Sequence, residues 1–96
     1  MQITKQQNGD SLIIVPAGRL DTTTAPQLES EEIAANVVNV VLDMTDVEYV
    51  SSAGLRVILS LHKKMKSRGK LVVKNINDTV IEVFNVTGFS NILNIE

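Results

Sequence analysis

The sequence predicts a single α/β domain with a mixed, mainly parallel β-sheet and helices packed on it. Its 96 residues have the length of one small domain, spanning residues 1–96. Strand patterns alternate with helical patterns along most of the chain, which is typical of strand–helix–strand units with parallel strands. Two of the strand patterns are nearly continuous aliphatic runs, as in strands that are covered on both faces.

The chain opens with a predicted β-hairpin. A short strand covers Ile3 to Gln6, the Asn8-Gly9-Asp10 triplet marks a turn, and a second strand covers Leu12 to Gly18. Pro16 has no backbone N–H, so we expect its side of the second strand to face an edge of the sheet or solvent.

The next segment predicts a short first helix. It covers roughly Ala25 to Ile33, with cap oxygens offered by Thr22 to Thr24 and with Pro26 in the first turn. Its apolar pattern is weak, because Leu28 and Ile33 lie five residues apart, which is off the helical period.

An aliphatic strand and the clearest helix of the chain follow. The strand covers Val37 to Leu42, and the helical pattern runs from Leu55 to about Arg68, with Gly69 as its stop. Between them, Asp43 to Glu48 is predicted to be a solvated acidic loop rather than a metal site, because its carboxylates lack the spacing of a calcium loop.

Two more strands and a third helix complete the predicted order β-β-α-β-α-β-α-(β). Leu71 to Val73 is a second aliphatic strand, and Ile92 to Ile95 is a short final strand. The third helix runs from about Asp78 to Thr87, where Asn77 or the first helical residue acts as the cap and Gly88 ends the helix.

Composition excludes several classes of function. The net charge of −2, with only two phenylalanines and one tyrosine as aromatics, argues against direct binding of nucleic acid. The absence of cysteine excludes disulfides and thiol chemistry. No apolar run approaches the roughly 20 residues that span a bilayer, and the N-terminus lacks the apolar core of a signal peptide. We therefore expect a soluble cytoplasmic protein with no membrane contact.

The residue pattern does not predict an enzyme. The single histidine, His62, lies ten residues past Ser52 on one predicted helix, about 15 Å away, so it cannot act as a base for that serine. With no second histidine and no cysteine, a zinc site is not expected. The glycine-rich loops that bind nucleotide phosphates are missing too. We therefore expect no catalytic residues, no metal and no cofactor.

The start of the main helix carries the most informative residues, Ser51, Ser52, Ala53 and Gly54. A serine at this position is most often a helix cap, and it is also well placed to hold a phosphate near free backbone N–H groups. Two adjacent serines exceed what one cap requires. The small side chains leave the helix start open to an approaching protein, and they equally suit close packing of the helix on a strand. The residues alone leave both roles open for Ser52.

Five segments of the chain carry a family resemblance: Gly18 to Asp21, Val41 to Asp43, Tyr49 to Val57, Val83-Phe84 and Thr87-Gly88-Phe89. Together they resemble the STAS domain family, and within it the single-domain bacterial anti-sigma factor antagonists. The resemblance covers essentially the whole chain. It implies an STAS-like fold over residues 1–96.

The resemblance also implies a regulatory switch. In the family, a serine at the position of Ser52 is phosphorylated by a partner that is both an anti-sigma factor and a serine kinase. The unmodified antagonist binds this partner and frees a sigma factor, whereas the phosphorylated form does not bind. A serine phosphatase is a second candidate partner, and the residue matching Asp21 lies near the phosphorylation site. The implied partner-binding residues are Asp21, Thr22, Ser51, Ser52, Ala53, Gly54 and Arg56.

The chain departs from the family pattern in three places. Ser51 stands where Asp is common before the phosphorylated serine, Ala53 stands where Ser or Thr is common, and the first helix is about one turn short. The alternative function is a non-phosphorylated STAS-like scaffold subunit of a transporter or a signalling assembly. In that case Ser52 is only a helix cap, and Ser52→Ala costs about 1 kcal/mol of stability. We expect a monomer, because no long exposed apolar stripe remains once the helices are packed.

Overall fold

The computed structural model describes residues 1–96 and contains six strands, three α-helices and one short 3₁₀ helix. In chain order the elements are β1 (Gln2–Asn8), β2 (Ser11–Leu20), α1 (Ala25–Glu29), β3 (Asn39–Asp43), β4 (Asp46–Val50), α2 (Ser52–Lys66), β5 (Lys70–Lys74), α3 (Asp78–Thr87), the 3₁₀ helix (Phe89–Asn91) and β6 (Asn94–Ile95). The predicted α/β class is confirmed. No helix is both long enough and apolar enough to cross a bilayer.

The strands form one mixed sheet in which only the first pair is antiparallel. The order across the sheet is β1-β2-β3-β5-β6, and β4 also pairs with β2. The first two strands form the predicted hairpin, while β2 with β3, β2 with β4, β3 with β5 and β5 with β6 are parallel pairs. The prediction of a mixed, mainly parallel sheet is therefore confirmed.

The predicted acidic loop at residues 43–48 is wrong except at Met44 and Thr45, because Asp43 is the last residue of β3 and Asp46 to Glu48 belong to β4. Val47 and Val50 are each only 2% exposed and belong to the core, while the strand pairs in parallel with the end of β2. The exposed charges of Asp46 and Glu48 interrupt the apolar pattern, so the segment does not look like a strand in the sequence. The observed order is β-β-α-β-β-α-β-α-β, with one strand more than predicted before the main helix.

Strand β2 changes its neighbour halfway along its length. Ser11–Ile14 pairs with β3, Ala17–Leu20 pairs with β4, and Pro16 falls in the gap between these two ladders. The expectation that Pro16 faces an edge or solvent is wrong, because it is buried in an interior strand. A missing N–H is tolerated there because neither β3 nor β4 pairs with this residue.

One hydrophobic core of 21 buried side chains joins the sheet to its helices. The apolar positions of α2 recur at helical spacing, which turns one face of the helix toward the core. The hydrophobic side chains that α2 and α3 bury are Leu55, Val57, Ile58, Leu61, Met65, Val80 and Phe84. This packing anchors α2 along its length and fixes where its N-terminus lies.

The structure confirms the capping residues predicted at both ends of helix α3. It runs over Asp78–Thr87, and the Asn77 side chain accepts a hydrogen bond from the backbone N–H of Val80 at 2.8 Å. Gly88 ends the helix with φ 81°, a left-handed conformation that glycine adopts without strain. Two other elements are shorter than predicted: α1 ends at Glu29, and β6 covers only Asn94–Ile95.

Gly69 serves close packing and is not the left-handed helix stop that the sequence suggests. Helix α2 ends at Lys66 with Ser67 as its C-cap residue in a right-handed conformation. A Cβ atom at position 69 would lie 1.7 Å from the carbonyl oxygen of Val38. Glycine is therefore required for the backbone to pass this close to the start of β3.

Candidate functional site

The candidate site lies where β2 and β4 end and α2 begins. The two strands are parallel neighbours with Leu20 opposite Val50, so the residues after them leave the same edge of the sheet. The backbone N–H of Ser51 donates to the carbonyl oxygen of Leu20 at 2.9 Å. Strand pairing thus brings the Asp21 loop next to the serine motif, although the two are far apart in the sequence.

Ser51, and not Ser52, is the cap of α2. Ser51 has an extended backbone, and its Oγ accepts a hydrogen bond from the N–H of Gly54 at 3.3 Å. Its carbonyl oxygen accepts the N–H of Leu55 at 2.9 Å. The assignment of Ser52 as a helix cap, on which the scaffold alternative relies, is therefore wrong. Ser and Asp both cap helices well, so Ser51 in place of the Asp that is common in the family pattern is compatible with this cap.

Ser52 is the first residue of α2, and its side chain is exposed. Its hydroxyl makes no hydrogen bond within the protein, and the backbone N–H groups of Ser52 and Ala53 have no acceptor because helical bonding starts with Leu55. Free N–H groups at the positive end of a helix favour a nearby anion. A modification of this hydroxyl would thus break no internal hydrogen bond.

Gly54 allows α2 to begin close to the sheet. A Cβ atom there would lie 2.6 Å from the carbonyl oxygen of Leu20, 2.8 Å from its Cγ and 3.0 Å from Cγ1 of Val50. Gly54 is buried, so its effect on any partner surface comes from where it places the helix start.

The carboxylate of Asp21 holds the loop between β2 and α1. Its Oδ1 accepts hydrogen bonds from the Thr23 N–H at 3.0 Å, the Thr23 hydroxyl at 2.8 Å and the Thr24 N–H at 3.3 Å. The Thr24 hydroxyl donates to the carbonyl oxygen of Arg19 at 2.6 Å, which ties the loop back to β2. The hydrogen bond from the Thr23 hydroxyl is the main reason that the pKa of Asp21 lies below its ordinary value.

A groove of about 270 Å³ lies between α1 and the start of α2. One of its lining residues, Ala53, directly follows Ser52 in the chain. We call it the α1–α2 groove; its lining residues are Thr22, Ala25, Pro26, Glu29, Ala53, Arg56 and Val57. It unites Thr22, Ala53 and Arg56, three of the residues that the family resemblance singles out. Glu29 and Arg56 contribute one charge of each sign and form no ion pair with each other.

The structure adds two neighbours that the sequence prediction missed, Arg19 and Tyr49. The guanidinium carbon of Arg19 lies 4.4 Å from the ring centroid of Tyr49, and its Nε lies 3.7 Å from Oδ2 of Asp21. These two residues are direct partners across β2 and β4. Arg19 and Tyr49 could have been placed together from the sequence only if β4 had been predicted as a strand that pairs with β2.

His62 lies outside this site. It is ten residues from Ser52 on α2, which separates them by about 15 Å along the helix axis. Its side chain is half-buried, as predicted for a residue at the boundary of the apolar face, and its Nδ1 has no hydrogen-bond partner.

Known proteins match this chain over almost its full length. The STAS domain family model matches residues 2–96. The chain is 38% identical over 97 residues to BtrV of Bordetella bronchiseptica, whose name provisionally assigns it as an anti-sigma factor antagonist, with 96% of this chain and 83% of BtrV covered. It is 33% identical over 96 residues to the anti-sigma-B factor antagonist of Listeria monocytogenes, with 96% and 84% covered.

A solved structure shows the same fold. The anti-sigma factor antagonist from Mycobacterium paratuberculosis superposes with a TM-score of 0.86 at 20% sequence identity. The superposition covers 98% of this chain and 83% of that one.

Proposed function

The chain belongs to the STAS domain family, and we propose that it is an anti-sigma factor antagonist switched by phosphorylation of Ser52. With Ser52 unmodified, it binds an anti-sigma factor and thereby frees a sigma factor. The anti-sigma factor is also the serine kinase that phosphorylates Ser52, and the phosphorylated chain no longer binds. A serine phosphatase restores the binding form. In this cycle the chain is a ligand and a substrate, and it performs no chemistry of its own.

The observation that carries the proposal is the separation of roles between the two serines. The side-chain oxygen of Ser51 caps the helix by accepting a hydrogen bond, while the Ser52 hydroxyl is exposed and has no hydrogen-bond partner within the protein. A kinase can reach this hydroxyl without opening the fold. Phosphoryl transfer then leaves the cap, and with it the start of α2, intact.

The proposed docking surface is the start of α2 together with the α1–α2 groove. Ala53 presents a small side chain beside Ser52, and Thr22 and Arg56 add polar groups from the two sides of the groove. The Asp21 carboxylate supports this surface by fixing the loop that precedes α1. The partner therefore meets a mostly preformed surface with the modifiable serine at its margin.

Phosphorylation blocks this surface locally. A phosphoryl group adds about −1.5 to −2 charges and considerable bulk at the helix start. The same charge lies at the positive end of α2, where it is tolerated or mildly stabilising for the fold. Binding is thus lost through charge and bulk in the interface and not through unfolding.

The test compares Ser52→Asp with Ser52→Ala for binding to the cognate anti-sigma factor by titration calorimetry. We expect Ser52→Ala to bind like the parent chain and to resist the kinase. Ser52→Asp should bind at least about 30-fold more weakly, or about 2 kcal/mol, because it puts a negative charge into an interface that is matched to an uncharged hydroxyl. Ser60→Asp, on an exposed position of the same helix, is the matched control and should bind normally.

Equal binding by Ser52→Ala and Ser52→Asp would contradict the switch and favour a scaffold subunit. A phosphorylated chain that melts several degrees below the unmodified chain would contradict a local block, because it would show that modification acts through the fold.

A further inference from the structure

We propose that Arg56 is the internal partner of the phosphoryl group on Ser52 and that this pairing withdraws Arg56 from the α1–α2 groove. The inference rests on the proposed phosphorylation of Ser52. It goes further by naming the residue of this chain that responds to the modification.

The positions of the two residues on α2 favour this pairing. Ser52 and Arg56 are four residues apart within Ser52–Lys66, so they occupy neighbouring places on one face, with Cβ atoms about 5–6 Å apart. Helical side chains lean toward the N-terminus, which directs a residue at position 56 toward position 52. An acidic group N-terminal to a basic one at this spacing is also the more stabilising order.

Arg56 has no other engagement in the unmodified chain. Its side chain is exposed, and it takes part in none of the ion pairs or side-chain hydrogen bonds of the protein. The first turn of α2 contains no acidic residue. The positive end of the helix and the Arg56 guanidinium therefore both lack a negative neighbour on this helix, and a phosphoryl group on Ser52 would supply one to each.

The phosphoryl group would compete well for Arg56. The groove contains a single acidic side chain, Glu29, and it forms no ion pair with Arg56. A phosphate carries more charge than a carboxylate and accepts two parallel hydrogen bonds from a guanidinium. Modification would thus change the docking surface twice, because it adds a negative group at its margin and neutralises its one cation.

The experiment places phosphoserine at position 52 during translation, so no kinase is needed, and follows the phosphate by ³¹P NMR as a function of pH. In the parent chain the midpoint of the phosphate titration should lie about half a pH unit lower than in Arg56→Gln, because a nearby cation favours the dianion. Arg56→Lys should fall between the two, and the difference should shrink in 1 M salt.

Lys63→Gln is the matched control, since Lys63 is an exposed cation on α2 about 16 Å from Ser52. It should titrate like the parent chain. Identical titrations of the parent and Arg56→Gln would overturn the inference and leave the switch at Ser52 standing. Conversely, a failure to find any kinase or phosphate at Ser52 in the native cell would overturn the proposed function without changing this titration.

Discussion

At the scale of single residues, one hydrogen bond distinguishes two identical side chains. The Oγ of Ser51 accepts the N–H of Gly54, whereas Ser52 follows as the first helical residue with a free hydroxyl. The helix depends on the first serine and leaves the second available. Position relative to the first helical turn, and not residue type, assigns the two roles.

This assignment predicts unequal costs for two neighbouring substitutions. Ser51→Ala should lower the free energy of unfolding by about 1 kcal/mol, because it removes the cap. Ser52→Ala should change it by less than about 0.5 kcal/mol, because the side chain has no internal contact to lose. Urea unfolding of both variants measures the difference. A larger cost for Ser52→Ala than for Ser51→Ala would show that the cap is wrongly assigned.

A second residue-scale prediction concerns acid stability and Asp43. Its Oδ1 accepts hydrogen bonds from the Thr45 hydroxyl, from the Thr45 N–H at 3.0 Å and from Asn75 Nδ2 at 3.0 Å. The Thr45 hydroxyl, followed by Asn75, lowers the pKa of Asp43 below its ordinary value. A lowered pKa stabilises the fold above the ordinary Asp range, and this stabilisation is lost as pH falls through the folded-state value.

Asp43→Asn keeps an acceptor oxygen and removes the charge. This substitution should lower the free energy of unfolding by about 0.5–1 kcal/mol at neutral pH, with solvent screening taken into account. The difference from the parent chain should disappear as the pH is lowered from about 4. Urea unfolding at a series of pH values measures both effects, and a difference that persists unchanged in acid would argue against the charged hydrogen bonds as its source.

At the scale of elements, the start of α2 is fixed by its contact with two strand ends. The helix begins directly after β4, and Gly54 lies against Leu20 of β2 and Val50 of β4. Strand β4 is therefore part of the site, because the end of β4 determines where Ser52 lies relative to the edge of the sheet.

Gly54→Ala should destabilise the protein by about 2–3 kcal/mol. The added methyl group would meet the Leu20 carbonyl oxygen at 2.6 Å, so α2 or the end of β2 must shift. Ser60→Ala, at an exposed position of the same helix, is the control and should be close to neutral. Thermal and urea unfolding would measure both variants. A Gly54→Ala chain as stable as the control would mean that the helix start is not held against the strands.

At the scale of the whole molecule, the protein is organised around one sheet and one core. The large hydrophobic side chains that stay exposed are Ile13, Tyr49, Val86 and Ile92. They come from β2, β4, α3 and the segment after the 3₁₀ helix, so no single element presents an apolar face of its own.

We therefore predict that the isolated chain is a monomer in solution. Light scattering coupled to size-exclusion chromatography should give one molar mass across a concentration series. A mass that rises toward twice the monomer value with concentration would contradict this prediction and would point to an interface that the fold leaves open.

The sequence by itself determined the elements whose signals are local. The apolar spacing of α2, the caps of α3 and the aliphatic runs of β3 and β5 depend on residues a few positions apart, and the structure confirms these elements. The serine motif is also visible in the sequence as a short pattern before a helix, whereas the residues expected around it were implied only by the resemblance to the STAS family.

Only the tertiary structure decided the features that depend on contacts between distant segments. It revealed β4, placed Pro16 in the gap where β2 changes neighbour, and set Arg19 against Tyr49. It also showed that Thr22 and Arg56 line one groove and that Ser51 is the N-cap residue of α2. Strand pairing and close backbone packing join residues that are far apart in the chain, and local periodicity carries no information about such contacts.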